Sequence, residues 1–252
     1  MFSELIPLRF AGSIESARLR ELTGRDEFQV LGASTANAIS LLSALLEDVD
    51  ASDLVTSDRD RLLAAVYHQA FGDRIESTLT CVRCSQPFDL DFSLGHLVKS
   101  IEHESLVEEW RSLGDGRFEN STGFSFRLPT GRDELELSSL EPQSIESMLL
   151  SRCTDDKDWP EGAGAFEELL ERIAPLLDLE LAARCPECGH QHAVQFDIQT
   201  YVLGAIVGER RRLLTEINRL ARAYSWSLEE ILSLRRSDRR QFVELIENEY
   251  VT

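Results

Sequence analysis

Hydrophobic and polar positions follow the same order twice along this chain. Phe124, Phe126 and Leu128 alternate with polar neighbours over residues 124–128, the period-two pattern of a half-buried strand. Ala17 and Leu19 hold the matching places over residues 17–21, where Glu21 interrupts the alternation. A Thr-Gly-Arg-Asp-Glu segment follows each strand and reads as a turn, with Gly24 and Gly131 free to take positive φ. Apolar residues then recur at helical spacing. In the first half they predict helices over about 36–47 and 58–71, the latter carrying Leu62, Leu63, Val66 and Phe71 on one side. In the second half the helices are predicted over about 142–152 and 163–177, the latter with Phe166, Leu169, Leu170 and Ile173. Each half closes with two strand-like runs flanking a Cys-x-x-Cys turn.

The correspondence extends to individual residues. Thr23 lies 58 residues before Cys81, and Thr130 lies 55 before Cys185. Phe92 and Phe196 each stand eight residues after the second cysteine of their pair, and Leu94 and Ile198 occupy the next same-face position. Ile75-Glu76 and Leu179-Glu180 match upstream of the pairs. An ordered series of this kind points to duplication of one unit. The expected organisation is an α+β protein with a first repeat at 1–100, a linker at 101–123 broken by Gly114, Gly116 and Gly123, a second repeat at 124–206 and a helical C-terminal arm at 207–252. Residues 152–164, polar and containing Gly and Pro, read as a loop within the second repeat.

In the arm, Leu213, Ile217, Leu220 and Tyr224 fall on one helical stripe, and Ser225-Trp226-Ser227 ends that helix. Ser227 with Glu230 forms a capping-box signature for the next helix, and Ser237 is placed to cap a last one bearing Phe242, Leu245 and Ile246. An amphipathic run on a chain that already has a core suggests docking in a partner's groove. The residues expected to bind that partner are Leu213, Ile217, Leu220, Trp226, Phe242 and Ile246. The other readings are packing on the chain's own core, or a helix-turn-helix with Arg235, Arg236, Arg239 and Arg240 on phosphates.

Charge weighs against the last of these. The chain carries −19, with 45 acidic and 26 basic residues. The arm holds nine Arg against eight Asp and Glu, near +1, so the first 206 residues carry about −20 and repel nucleic acid and anionic membrane. No apolar run approaches the roughly 20 residues that span a bilayer. The opening residues lack a secretory pattern, and a cytoplasmic protein is expected.

The five cysteines suit metal binding in a reducing compartment better than disulfides. Cys81-Val-Arg-Cys84 and Cys185-Pro-Glu-Cys188 sit in hairpin turns, the arrangement of a zinc knuckle, in which two sulfurs aim at one point. One knuckle supplies two ligands. The second could close a site alone with His190 or His192, but this strands the first. A single structural Zn2+ per chain, shared by Cys81, Cys84, Cys185 and Cys188, uses both pairs and is expected, with the histidines as exposed hairpin residues. Redox pairs, disulfides and a catalytic zinc are the competing readings. Four thiolates leave no open position for a water, and a redox pair normally opens a helix. His68 reads as a satisfied, half-buried helix residue, and the acidic neighbours of Cys153 argue against a nucleophile. No Gly-rich phosphate loop, His-Glu-x-x-His or Gly-x-Ser-x-Gly motif is present, so no enzyme is expected.

The arm segment from Glu216-Ile-Asn-Arg-Leu through Ser225-Trp-Ser-Leu-Glu-Glu-Ile-Leu-Ser-Leu234, followed by Arg239-Arg240, resembles the C-terminal segment of small proteins of phage tail and contractile injection clusters. The opening strand with Leu22-Thr-Gly-Arg-Asp-Glu27 resembles the start of the T-even-type baseplate hub assembly family, although the duplicated Cys-x-x-Cys hairpins depart from its compact members. The resemblance implies a non-catalytic structural or assembly role in a baseplate or tail tip. Its partners would be other baseplate or tail proteins, with residence in a finished virion or injection particle as a further option. The rival expectation is a zinc-ribbon adaptor or transcription regulator that binds nucleic acid through the C-terminal helices.

Overall fold

The computed structural model of the chain describes residues 3–12, 14–104, 109–138, 141–154 and 162–249. It opens with an antiparallel pair, β1 (Ser3–Pro7) and β2 (Ser16–Arg20), in which Ala17 and Leu19 are fully buried, as the alternation predicts. Helices α1 (Gly24–Gln29), α2 (Thr35–Leu45) and α3 (Thr56–Phe71) follow. The hairpin of β3 (Arg74–Thr80) and β4 (Pro87–Ser93) runs directly into α4 (Leu94–Glu104). A three-stranded antiparallel sheet comes next: β5 (Trp110–Gly114), β6 (Arg117–Asn120) and β7 (Ser125–Arg127). Then come α5 (Gly131–Leu137), α6 (Pro142–Cys153), α7 (Gly162–Ile173), the hairpin of β8 (Asp178–Arg184) and β9 (Gln191–Asp197), and α8 (Ile198–Gly208). The arm comprises α9 (Arg210–Tyr224), α10 (Leu228–Ser233) and α11 (Arg236–Glu249).

Several expectations change at the element ends. Thr-Gly-Arg-Asp-Glu is not a free turn but the first turn of a helix. Thr23 and Thr130 are N-caps in extended conformation, and their N–H groups donate to Asp26 at 2.8 Å and to Asp133 at 2.9 Å in capping boxes. Gly24 and Gly131 are absent from the positive-φ glycines; they provide clearance instead. A Cβ on Gly24 would stand 2.9 Å from the Arg239 guanidinium and 3.2 Å from Leu232 Cα, and one on Gly131 would stand 2.9 Å from Ile39 Cδ1. The 101–123 segment is not merely a linker, since β5 and β6 lie in it; residues 105–108 fall outside the described residues, as do 155–161 of the polar loop. Leu94 and Ile198 do not continue a strand face. Each starts a helix and is buried. Ser237 is inside the first turn of α11 rather than its cap.

Both halves supply one core. Leu62, Leu63 and Val66 of α3 belong with Val202, Leu203 and Ile206 of α8, joined by Leu42, Leu45, Ile75, Leu94, Phe196 and Ile198. Each such side chain removed from water contributes about 1.5–3 kcal/mol. A second cluster holds Phe118, Phe126 and Leu128 of the three-stranded sheet region with Phe166, Leu170 and Ile173 of the α7 region.

The start of α3 is charged yet buried. Asp58 accepts the N–H groups of Arg9 and Phe10 at 2.9 and 2.8 Å, and Asp60 accepts Leu177 N–H at 3.0 Å. Burial pushes the Asp60 carboxyl up to about 7, against the opposing pull of Arg59 and the Leu177 N–H. The folded chain therefore keeps a proton that the unfolded chain has released, and stability from this group falls as pH rises from about 4 to about 7. Asp60→Asn retains an acceptor for Leu177 and is expected to flatten the dependence of melting temperature on pH across that window. Parallel slopes for the variant and the parent would reject the assignment.

Candidate metal centre and the seat of the arm

The two cysteine turns are built alike. Cys81 N–H donates to Gln86 O at 2.9 Å and Ser85 N–H to Cys81 O at 2.8 Å; Cys185 N–H donates to His190 O at 2.9 Å and Gly189 N–H to Cys185 O at 3.0 Å. The residue after each second cysteine is left-handed, Ser85 at φ 59° and Gly189 at φ 69°. That conformation costs a side-chain-bearing residue about 1–2 kcal/mol. Gly189→Ala is thus expected to lower stability by about that amount, whereas Ser85→Gly is expected to raise it. Thermal melts of the two variants check the opposite signs.

Cys81 and Cys185 are almost wholly buried, each 1% exposed, while Cys84 and Cys188 are half-buried. All four are free thiols whose sulfurs lie within 4.8 Å of one another, a group able to hold a metal ion. The short contacts run between hairpins, Cys81 Sγ to Cys188 Sγ at 3.6 Å and Cys84 Sγ to Cys185 Sγ at 3.7 Å. A rotation exchanging the hairpins converts one contact into the other. Further positions matched in sequence also meet each other: Phe88 and His192 rings at 5.1 Å, Phe92 and Phe196 rings at 5.2 Å. Leu79, Leu90, Ala183 and Val194 complete an apolar jacket around the sulfurs.

Sulfurs this close compete for protons. Burial opposes ionisation of Cys81, but the N–H groups of Cys84 and Arg83, together with His192, outweigh it and bring the thiol down to about 5. At Cys84 the Gln86 N–H favours the thiolate, yet burial and the three neighbouring sulfurs push the thiol up to about 12. A divalent cation removes the conflict by taking all four as thiolates. His190 and His192 are not exposed as expected: both are half-buried, with rings 4.9 Å apart, and His192 packs on Phe88 beside Cys81. Cys153 lies apart in the second cluster. Burial is the main cause that raises its thiol to about 12; the acidic residues at 155, 156 and 158 lie outside the described residues. His68 is exposed rather than half-buried.

The six arm residues expected to meet a partner turn inward. Leu213, Leu220 and Ile246 are buried, and Ile217, Trp226 and Phe242 pack on the cluster of Leu220, Ile231, Val243 and Ile246. The stripe is covered because α10 and α11 fold back on α9, with Trp226 and Phe242 rings 5.1 Å apart. The arginines proposed for phosphates are also engaged. Arg235 pairs with Asp238 at 2.7 Å, Arg240 with Glu209 at 2.7 Å, Arg239 with Glu216 at 2.7 Å and with Glu27, and Arg236 with Glu27 and with Glu209 at 3.1 Å. Arg236 and Arg239 are 4% and 1% exposed, so neither can reach a nucleic acid backbone. The counter-charges Glu27, Glu209 and Glu216 were not singled out by their sequence context, because the α11 arginines they answer are remote in the chain, although Glu209 and Glu216 also pair with Arg212 nearby.

A family model described as T4 bacteriophage base plate protein matches residues 11–156, more than half of the chain, with the second cysteine pair and the arm outside the matched span. Neither the curated proteins nor the solved structures yield a match. Among the described residues no helix is long and apolar enough to cross a membrane.

Proposed function

Because the chain belongs to the T4 bacteriophage base plate protein family, we propose that it is a non-catalytic structural or assembly component of a phage-like baseplate or contractile injection tail, held rigid by one structural zinc ion. The match over residues 11–156 carries the baseplate role. Its partners are then other baseplate or tail proteins, and its place is in the assembling or finished particle.

The donor set favours zinc among divalent cations. Four thiolates are soft ligands, and zinc accepts four of them in a tetrahedron with bonds of about 2.3 Å, whose edges are about 3.8 Å. The 3.6 and 3.7 Å sulfur contacts are close to that edge. A fully thiolate tetrahedron has no open position for a reacting water, so the ion staples rather than catalyses. In this reading the halves are two diverged copies of one unit related by a pseudo-two-fold axis through the ion. Contacts between equivalent residues at Phe92 and Phe196 support it. The staple joins segments separated by 100 residues and would hold the copies in one orientation while partners assemble around them.

Negative-stain imaging of particles from cells that lack this protein tests the role. Tails without complete baseplates, restored by the parent chain, are the expected result; normal particles in normal numbers would dismiss it.

A further inference from the structure

Each Thr-Gly-Arg-Asp-Glu element is seated on the start of a different helix, and the two seats coincide residue for residue. In the second half, Gly131 N–H donates to Leu54 O at 3.1 Å, Thr56 N–H donates to Pro129 O at 3.1 Å, and Thr130 bridges Val55. Glu134 pairs there with buried Arg59. In the first half, Gly24 N–H donates to Leu234 O at 3.1 Å, Arg236 N–H donates to Leu22 O at 2.8 Å, and Thr23 bridges Arg235. Glu27 pairs there with buried Arg239. The seats read Leu54-Val-Thr-Ser-Asp-Arg59 and Leu234-Arg-Arg-Ser-Asp-Arg239, so α11 offers the first half what α3 offers the second.

We propose that this is one docking module, a Thr-Gly-Arg-Asp-Glu face that accepts a helix beginning Leu-x-x-Ser-Asp-Arg, and that the face at residues 23–27 accepts the arm of a second copy of this chain in place of its own. The tether does not set the contact. Arg59 lies 75 residues before Glu134, whereas Arg239 lies 212 residues after Glu27. Local atoms and charge complementarity set it, and a helix from another chain presents the same ones. Face and seat are different surfaces, so exchange between chains leaves every group paired and can continue from chain to chain. The joint for such an exchange is Glu209, the single residue between α8 and α9, at φ −78° and ψ −4°. Its carboxylate pairs with Arg236 and Arg240 as well as with nearby Arg212, so opening the seat removes two of its three cationic partners. Merging α8 with the 15 residues of α9 into one helix would carry α11 outward by about 20 Å.

Two full-length variants separate the surfaces. Glu27→Lys breaks the face and spares the arm; Arg236→Ala with Arg239→Ala breaks the seat and spares the face. Alone, each is expected to sediment as a 28.5 kDa monomer, with α11 amides exchanging about a hundredfold faster than in the parent. Mixed in equal amounts, they are expected to form a one-to-one dimer in which α11 of the Glu27→Lys chain regains its protection. A mixture that stays monomeric overturns exchange between copies. Arg235→Val with Arg236→Thr rewrites the seat as that of α3 without adding charge, and the arm is expected to stay protected to within about threefold. Release as complete as in the chain with Arg236→Ala and Arg239→Ala overturns the module itself.

Discussion

Cys81→Ser and Cys185→Ser are each expected to remove the bound metal and lower stability by at least about 5 kcal/mol, and by nearly equal amounts. Structural zinc contributes about 10–16 kcal/mol of apparent binding free energy, all of it unavailable to an unfolded chain. A domain of ordinary stability holds only about 5–15 kcal/mol in total. Losing one ligand also strands three thiols inside the jacket of Leu79, Phe88, Ala183 and Val194. At about 2–4 °C per kcal/mol for a chain of this size, the midpoint should fall by about 10–20 °C. The two cysteines are equally buried and occupy exchangeable corners of the site, which is the reason for equal effects. Thermal melts with metal analysis measure both quantities. Cys153→Ser serves as the control, since Cys153 lies in the other cluster and should leave the metal content unchanged. A harmless Cys81→Ser beside a damaging Cys185→Ser would mean that the second hairpin binds metal alone.

The second large effect is expected at Glu27. Its carboxylate is 4% exposed and answers two arginines that are themselves buried, Arg236 and Arg239. Glu27→Ala leaves both with less compensation than they need, and breaking a buried pair costs about 3–5 kcal/mol. Arg236 retains Glu209 and the face of Phe71, 4.5 Å from its guanidinium, and Arg239 retains Glu216, which places the cost toward the lower end. Arg219 and Glu247 form the contrasting pair. They are 44% and 54% exposed, and Glu247→Ala should cost less than about 1 kcal/mol. Denaturant unfolding of the two variants gives the comparison. Equal small losses would show that the arm's ion pairs contribute little to the fold.

The residues that could be read directly were those whose meaning is local. Cys-x-x-Cys within alternating residues yields a hairpin because four residues suffice to aim two sulfurs, and both turns lie where expected. Ser227 with Glu230 forms the capping box its spacing indicates. The same rule applied to Thr23-x-x-Asp26 and Thr130-x-x-Asp133 would have identified α1 and α5; the glycines suggested a turn, but they are there for close approach to Leu232 and Ile39. In the arm the limit is a different one. A stripe such as Leu213, Ile217 and Leu220 states that something covers it and not what, and here α10 and α11 do. Glu27 opposite Arg239 was illegible as a pair because 212 residues separate them. The recurrence of Ser-Asp-Arg at residues 57–59 and 237–239 was present in the sequence and is informative only once the seats are seen together.

The shared ion is open to one direct measurement: metal stoichiometry and zinc-edge X-ray absorption on full-length protein purified without chelator. One zinc per chain with four sulfurs at about 2.3 Å is the expected result. Two ions per chain, or a shell containing nitrogen from His190 or His192, would contradict a single staple between the halves.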